Sequence, residues 1–150
     1  IAARNNLASA FRLAGNLPKA ESLFEQVEAD STHLLGADHP YTLTSRNNLA
    51  GIYRLKGEYT KAINLFKQVI ADRSRVLGKN HPDTLTTRNN LAGAHRASGR
   101  VAQAVTLYSE ILNDCLGELG LDHPLTEVVR ENLEAARQEL KQQQEESPTD

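Results

Sequence analysis

The chain has 150 residues, 17 basic and 19 acidic side chains, a net charge of -2 and 39% hydrophobic residues. That length allows one continuous core, and the near balance of charge excludes a general nucleic-acid or membrane-surface binder. No apolar run approaches the ~18 residues that a membrane span needs. The first residues lack the basic start and apolar stretch of a signal peptide, and a lone Cys115 excludes an internal disulfide framework and fits a reducing, cytoplasmic compartment.

In chain order, the sequence divides into units that recur every 42 residues. The first unit, about residues 1–39, carries Arg4-Asn5-Asn6-Leu7-Ala8, then Gly15, Ala20 and Phe24. It lacks both an initiating Met and the His-Pro-x-Thr start of the later units, so an array cut from a longer one is expected. In the second unit, 40–81, Pro40 opens a helix where its missing N–H costs nothing. Leu43, Leu49, Ile52 and Tyr53 form its apolar stripe, which ends near Gly57. After Gly57-Glu58 a second stripe runs through Tyr59, Ala62, Ile63, Phe66, Val69, Ile70 and Leu77, with Gly78 expected as a left-handed cap. The third unit, 82–123, keeps the register with Arg88, Gly99, Ala104 and Tyr108. From Pro124 a final helix, to about residue 142, turns polar at Glu134, Arg137, Gln138, Glu139, Lys141 and Gln142, as the solvating cap of an open array would. Residues 143–150 are expected to fray as a polar tail. Seven helices follow, none able to bury its stripe alone, so stability must come from stacked neighbours.

The unit Arg46-x2-Leu49-Ala50-x2-Tyr53, then Ala62-x3-Phe66, then Pro82, resembles the tetratricopeptide pattern W-x2-L-G-x2-Y, A-x3-F, P, with Arg for Trp and Ala for Gly. The 42-residue form, with Leu77-Gly78-Lys79-Asn80-His81-Pro82-Asp83-Thr84 leading into Asn89-Asn90-Leu91-Ala92, is similar to the repeats of kinesin light chains. It also looks like bacterial arrays of that type attached to NB-ARC-like signalling ATPases. The resemblance covers residues 1 to about 140 and implies an all-α, right-handed superhelix of helical hairpins. It implies a protein-interaction scaffold that takes a peptide or protein along its concave groove, with no cofactor.

In such a groove the ligand would meet Asn5, Asn47 and Asn89 and one turn either side, including Asn48 and Asn90. Arg12, Arg54 and Arg96 follow seven residues later, about 20° away around the helix. Thr44 and Thr86 precede the Asn by three residues on the same side. Amides can pair with a peptide backbone and guanidiniums with carboxylates, which suits a peptide of acidic character. Two readings are open at this point: ligand binding, or Asn pairs that order the helix packing beside Arg side chains that only solvate. Ser9, Gly51 and Gly93 occupy the position where a carboxylate clamp for chaperone tails would need Asn, and they leave room on the groove floor. An alternative role is a regulatory or self-assembling arm of a larger signalling ATPase, as a monomer or weak homodimer.

The remaining recurrences read as structural. Arg4, Arg46, Arg88 and Arg130 recur with Asp30, Asp72 and Asp114. Matching heights across antiparallel helices predicts salt bridges between units, Asp30–Arg46, Asp72–Arg88 and Asp114–Arg130. His39, His81 and His123 fall one per unit, roughly 10 Å apart, whereas zinc needs its ligands at about 2 Å; capping of helix starts beside Pro is the better role. His95 replaces a Tyr53-type packing residue. No Gly-rich phosphate loop, nucleophile elbow or HExxH is present. Cys115 follows Asp114 and is expected on a polar face, so an enzyme is not expected.

Overall fold

A computed structural model describes residues 1–147 of the chain. Among the described residues there are seven helices and no strand: α1 (Ala2–Leu13), α2 (Leu17–Leu35), α3 (Pro40–Leu55), α4 (Tyr59–Leu77), α5 (Pro82–Ala97), α6 (Val101–Glu118) and α7 (Pro124–Glu146). The fold is an all-α helical repeat in which each helix packs chiefly on the next in sequence. Contacts also join α3 to α5 and α5 to α7, so these helices lie side by side. No helix of the described residues is long and apolar enough to cross a membrane.

The Leu-Gly-x-x-His-Pro-x-Thr segment acts as one device. Gly78 turns the chain out of α4 with φ +105° and ψ 151°, a conformation that only Gly adopts readily. It is therefore not the left-handed cap expected, because ψ lies in the extended range. His81 Nδ1 accepts the Asp83 amide at 3.1 Å, and Pro82 supplies the preset φ of a first helical residue. The fully buried Thr84 donates its hydroxyl back to the Gly78 carbonyl at 2.8 Å. His39 with Thr42, and His123 with Thr126, repeat both contacts. The His capping role is thus present three times.

Each core cluster straddles a boundary between units. Phe24 packs with Leu49 and Ile52, Phe66 with Leu91 and Ala94, and Tyr108 with Val129 and Leu133. Ala8, Ala20, Ala50, Ala62, Ala92 and Ala104 are wholly buried, which lets the helix backbones approach closely. His95 is 2% exposed and packs as expected. Arg73 is also buried: its Nη1 donates to the Asp83 carbonyl at 3.0 Å and to Thr87 Oγ1 at 2.7 Å, and its Nη2 to Thr44 Oγ1 at 3.1 Å.

Three further expectations need correction. The ion pairs form within units: Arg4 with Asp30, Arg46 Nη1 with Asp72 at 3.7 Å, and Arg88 Nη1 2.8 Å from Asp114. The Arg88 contact is one of charge, since the N–H is not aimed at the carboxylate. Across the unit boundary Arg46 Nε instead donates to Glu28 at 2.9 Å. Two residues are about 200° of helix, so Glu28 faces α3 while Asp30 turns back to α1. Cys115 is wholly buried in the core of the third unit, not on a polar face. Burial raises its thiol pKa, Asp114 adds to that and Arg88 opposes it. Finally, α7 continues to Glu146, so residues 143–146 form its last turn; the rest of the expected tail, beyond Ser147, lies outside the described residues.

Candidate functional site

The α1, α3 and α5 helices present Asn-Asn pairs side by side, α7 keeps only Asn132 of its pair, and these residues bond across units. Asn48 Nδ2 donates to Asn5 Oδ1 at 3.5 Å, Asn90 to Asn47 at 3.2 Å and Asn132 to Asn89 at 3.1 Å. One Asn of each unit thus holds the preceding unit at a fixed height. This is the packing role weighed in the sequence, and it uses the carbonyl oxygens of Asn5, Asn47 and Asn89. Among the described residues their Nδ2 groups make no side-chain bond.

Two neighbouring hollows lie on this surface. The first, of about 420 Å³, is lined by Arg54, Asn89, Asn90, Gly93 and Arg96, with Tyr108, Asn132 and Glu139. The second, of about 130 Å³, is bounded by Arg12, Asn47, Asn48, Gly51, Arg54 and Asn90. Arg54 and Asn90 belong to both. Of the ten candidate residues, seven line these hollows and three do not. Asn5 is engaged by Asn48. Thr44 accepts from Arg73, and Thr86 donates to the Pro82 carbonyl of its own helix at 2.8 Å. The two Thr serve the scaffold because a hydroxyl within reach of a local carbonyl or a buried guanidinium bonds there first.

Arg54 is set by the floor beneath it. A Cβ at Gly93 would meet Arg54 Nη1 at 2.9 Å and the Tyr108 hydroxyl at 3.5 Å. Only glycine leaves the space for the guanidinium to cross α5. Arg54 Nε is buried and has no hydrogen-bond partner among the described residues. Arg96 differs: its Nε donates to Glu139 Oε2 of α7 at 2.7 Å.

Tyr108 and Glu139 are the residues that sequence reasoning missed as part of the site. Tyr108 stands where Phe24 and Phe66 stand in the earlier units, so its hydroxyl is the signal. Burial raises its pKa against the smaller opposing effects of Arg96 and Arg54, so the phenol stays protonated and can donate. Glu139 follows Arg96 by 43 residues, the same offset as the Asn ladder, where Leu55 and Ala97 follow Arg12 and Arg54.

A wider hollow of about 540 Å³ lies between α2 and α4 over α3. Its charges are already paired: Arg46 with Glu28, and Lys61 with Glu58 at 3.3 Å while also over the Tyr53 ring at 5.3 Å. The groove, with Arg54 lacking a carboxylate, is the stronger site.

A tetratricopeptide repeat model matches residues 1–74 and again 52–115. The chain belongs to the tetratricopeptide repeat family. Two crystal structures of the nearly identical TPR-like repeats of a putative kinesin light chain from Podosopora anserina are each 33% identical to it, over 96% of this chain and 68% of that one. Their TM-scores are 0.77, for a point-substituted form of those repeats, and 0.75. BtubC (BKLC) from P. vanneervenii gives a TM-score of 0.79 at 20% identity over 90% of this chain and 54% of that one, a likeness of fold alone. No curated protein matches the chain. The tetratricopeptide units are thus of the kinesin-light-chain type, and tetratricopeptide repeats are in general protein-interaction scaffolds rather than enzymes.

Proposed function

We propose that this array binds a peptide or protein partner of acidic character, extended or as a short helix, in the groove over α1, α3, α5 and α7. The partner is neither a nucleic acid nor a membrane, the setting is cytoplasmic, and no catalytic step or cofactor is involved. The observation that supports the reading is Arg54: a guanidinium with no carboxylate partner among the described residues and a buried, unpaired Nε, lining two hollows at once. Asn47 and Asn89 each keep an Nδ2 group for a ligand backbone, while Arg12 extends the positive side of the groove. The test is a peptide-array screen with the wild-type chain and the Asn47→Ala and Arg54→Ala variants. Loss of a guanidinium–carboxylate bond of about 1.5–3 kcal/mol lowers affinity at least about tenfold in Arg54→Ala. Bound peptides that ignore both changes would remove the groove assignment.

A second reading is a regulatory or self-assembling arm of a larger protein, such as an NB-ARC-like signalling ATPase. Light scattering separates the two: a monomer at all concentrations weakens assembly, and a dimer that buries Arg54 weakens peptide binding.

A further inference from the structure

We infer that the hollow formed by α3, α5, α6 and α7 is tuned to admit a single carboxylate and to reject a phosphate, and that Glu139 sets this limit. The inference rests on the groove being the ligand site and adds which acid it reads.

Three observations converge. First, Arg54 Nη1 and the Tyr108 hydroxyl approach the same point over Gly93, at 2.9 and 3.5 Å from where a Cβ would stand. The guanidinium itself fills the space over that glycine, so an acidic side chain lying above it meets a guanidinium and a phenol close together. Second, the tyrosine is special to this unit, since Phe24 and Phe66 offer no donor at the equivalent places. Third, Glu139 engages Arg96 at 2.7 Å, whereas Leu55 and Ala97 occupy the matching positions after Arg12 and Arg54. Only this rung carries its own carboxylate.

The charges among the lining residues are Arg54 and Arg96 against Glu139, a net of one positive. One ligand carboxylate balances that. A phosphoserine side chain brings about -1.5 to -2 at pH 7 and a third oxygen, so it leaves the hollow negative and places oxygens near Glu139. Like-charge apposition of this kind discriminates between ligands by repulsion as much as by attraction.

The experiment titrates two synthetic peptides, acetyl-Ala-Asp-Ala-Ala-amide and its phosphoserine counterpart, into isotope-labelled protein. The readout is the Arg54 side-chain Nε–H resonance, identified by its loss in Arg54→Lys. In the wild type the Asp peptide moves this resonance and binds at least about fivefold more tightly than the phosphopeptide. In Glu139→Gln, which keeps the side chain's size, the phosphopeptide gains roughly tenfold and the Asp peptide no more than about threefold. Glu139→Asp keeps the wild-type order. An unchanged preference in Glu139→Gln, with Arg54 still responding, overturns the role of Glu139 and leaves the groove reading standing. If neither peptide moves Arg54 or Asn47 in any variant, the groove reading fails and this inference falls with it.

Discussion

A methyl group added at Gly51 meets nothing within 4 Å, whereas one added at Gly93 meets Arg54 Nη1 at 2.9 Å. Both positions lie inside helices, where Ala is favoured over Gly by about 0.5–1 kcal/mol. Gly51→Ala is therefore expected to raise stability by about that amount in chemical denaturation. Gly93→Ala gains the same propensity, because the far end of Arg54 can swing aside, but the guanidinium then leaves its seat. Peptide affinity should fall in Gly93→Ala while its unfolding midpoint does not; undiminished affinity would show that the seat over Gly93 is irrelevant. His95 offers a pH-dependent case. Burial holds its imidazole below the ordinary value, with Arg100 and Lys67 acting in the same direction. The unfolded chain takes up the proton first, near pH 6.5, so stability falls as pH drops from about 6.5 towards the lower folded value. His95→Phe, which copies Phe11 of the first unit, should remove that part of the acid loss in melting curves recorded at successive pH values. A slope identical to wild type would rule out His95 as its source.

At the scale of helices, the ion pairs separate what periodicity can reveal from what it cannot. Summing residue numbers across a turn gives height, and it placed Arg46 within two residues of its true cross-unit partner, Glu28. It says nothing of which side of the helix a residue faces, and two residues are half a turn. A double-mutant cycle is expected to give a coupling of roughly 0.5–1 kcal/mol for Arg88 with Asp114 and none for Asp114 with Arg130. The reverse pattern would restore the pairing between units. Helix boundaries were legible because Pro40, Pro82 and Pro124, with the recurring Gly, punctuate the chain chemically. The Asn-to-Arg spacing was legible as one face of one helix. Tyr108 and Glu139 were not, because their place in the groove depends on how α6 and α7 pack against α5. The bond that Thr44 accepts was hidden for the same reason: its partner, Arg73, comes from α4.

Across the whole molecule, contacts run mainly between helices adjacent in sequence, so stability is a chain of local couplings that can give way at one end first. Cys115 reports on that end. It is wholly buried beneath Val129 and Leu133 of α7, and its raised thiol pKa leaves little thiolate even when a reagent arrives. Labelling by an aromatic disulfide should therefore be slow in the native chain and should proceed through undocking of α7. Leu133→Ala removes about 2–5 kcal/mol from that contact, so it should speed labelling at least about thirtyfold if α7 opens alone. Phe24→Ala costs about 3–5 kcal/mol but acts two units away, between α2 and α3, and should leave the rate near that of wild type. Equal acceleration by both changes would mean that Cys115 is reached only when the entire array unfolds together. The local outcome also bears on the groove, because α7 carries Glu139 and Asn132: a helix that undocks alone would remove two linings of the Arg54 hollow while α1 to α6 keep their places.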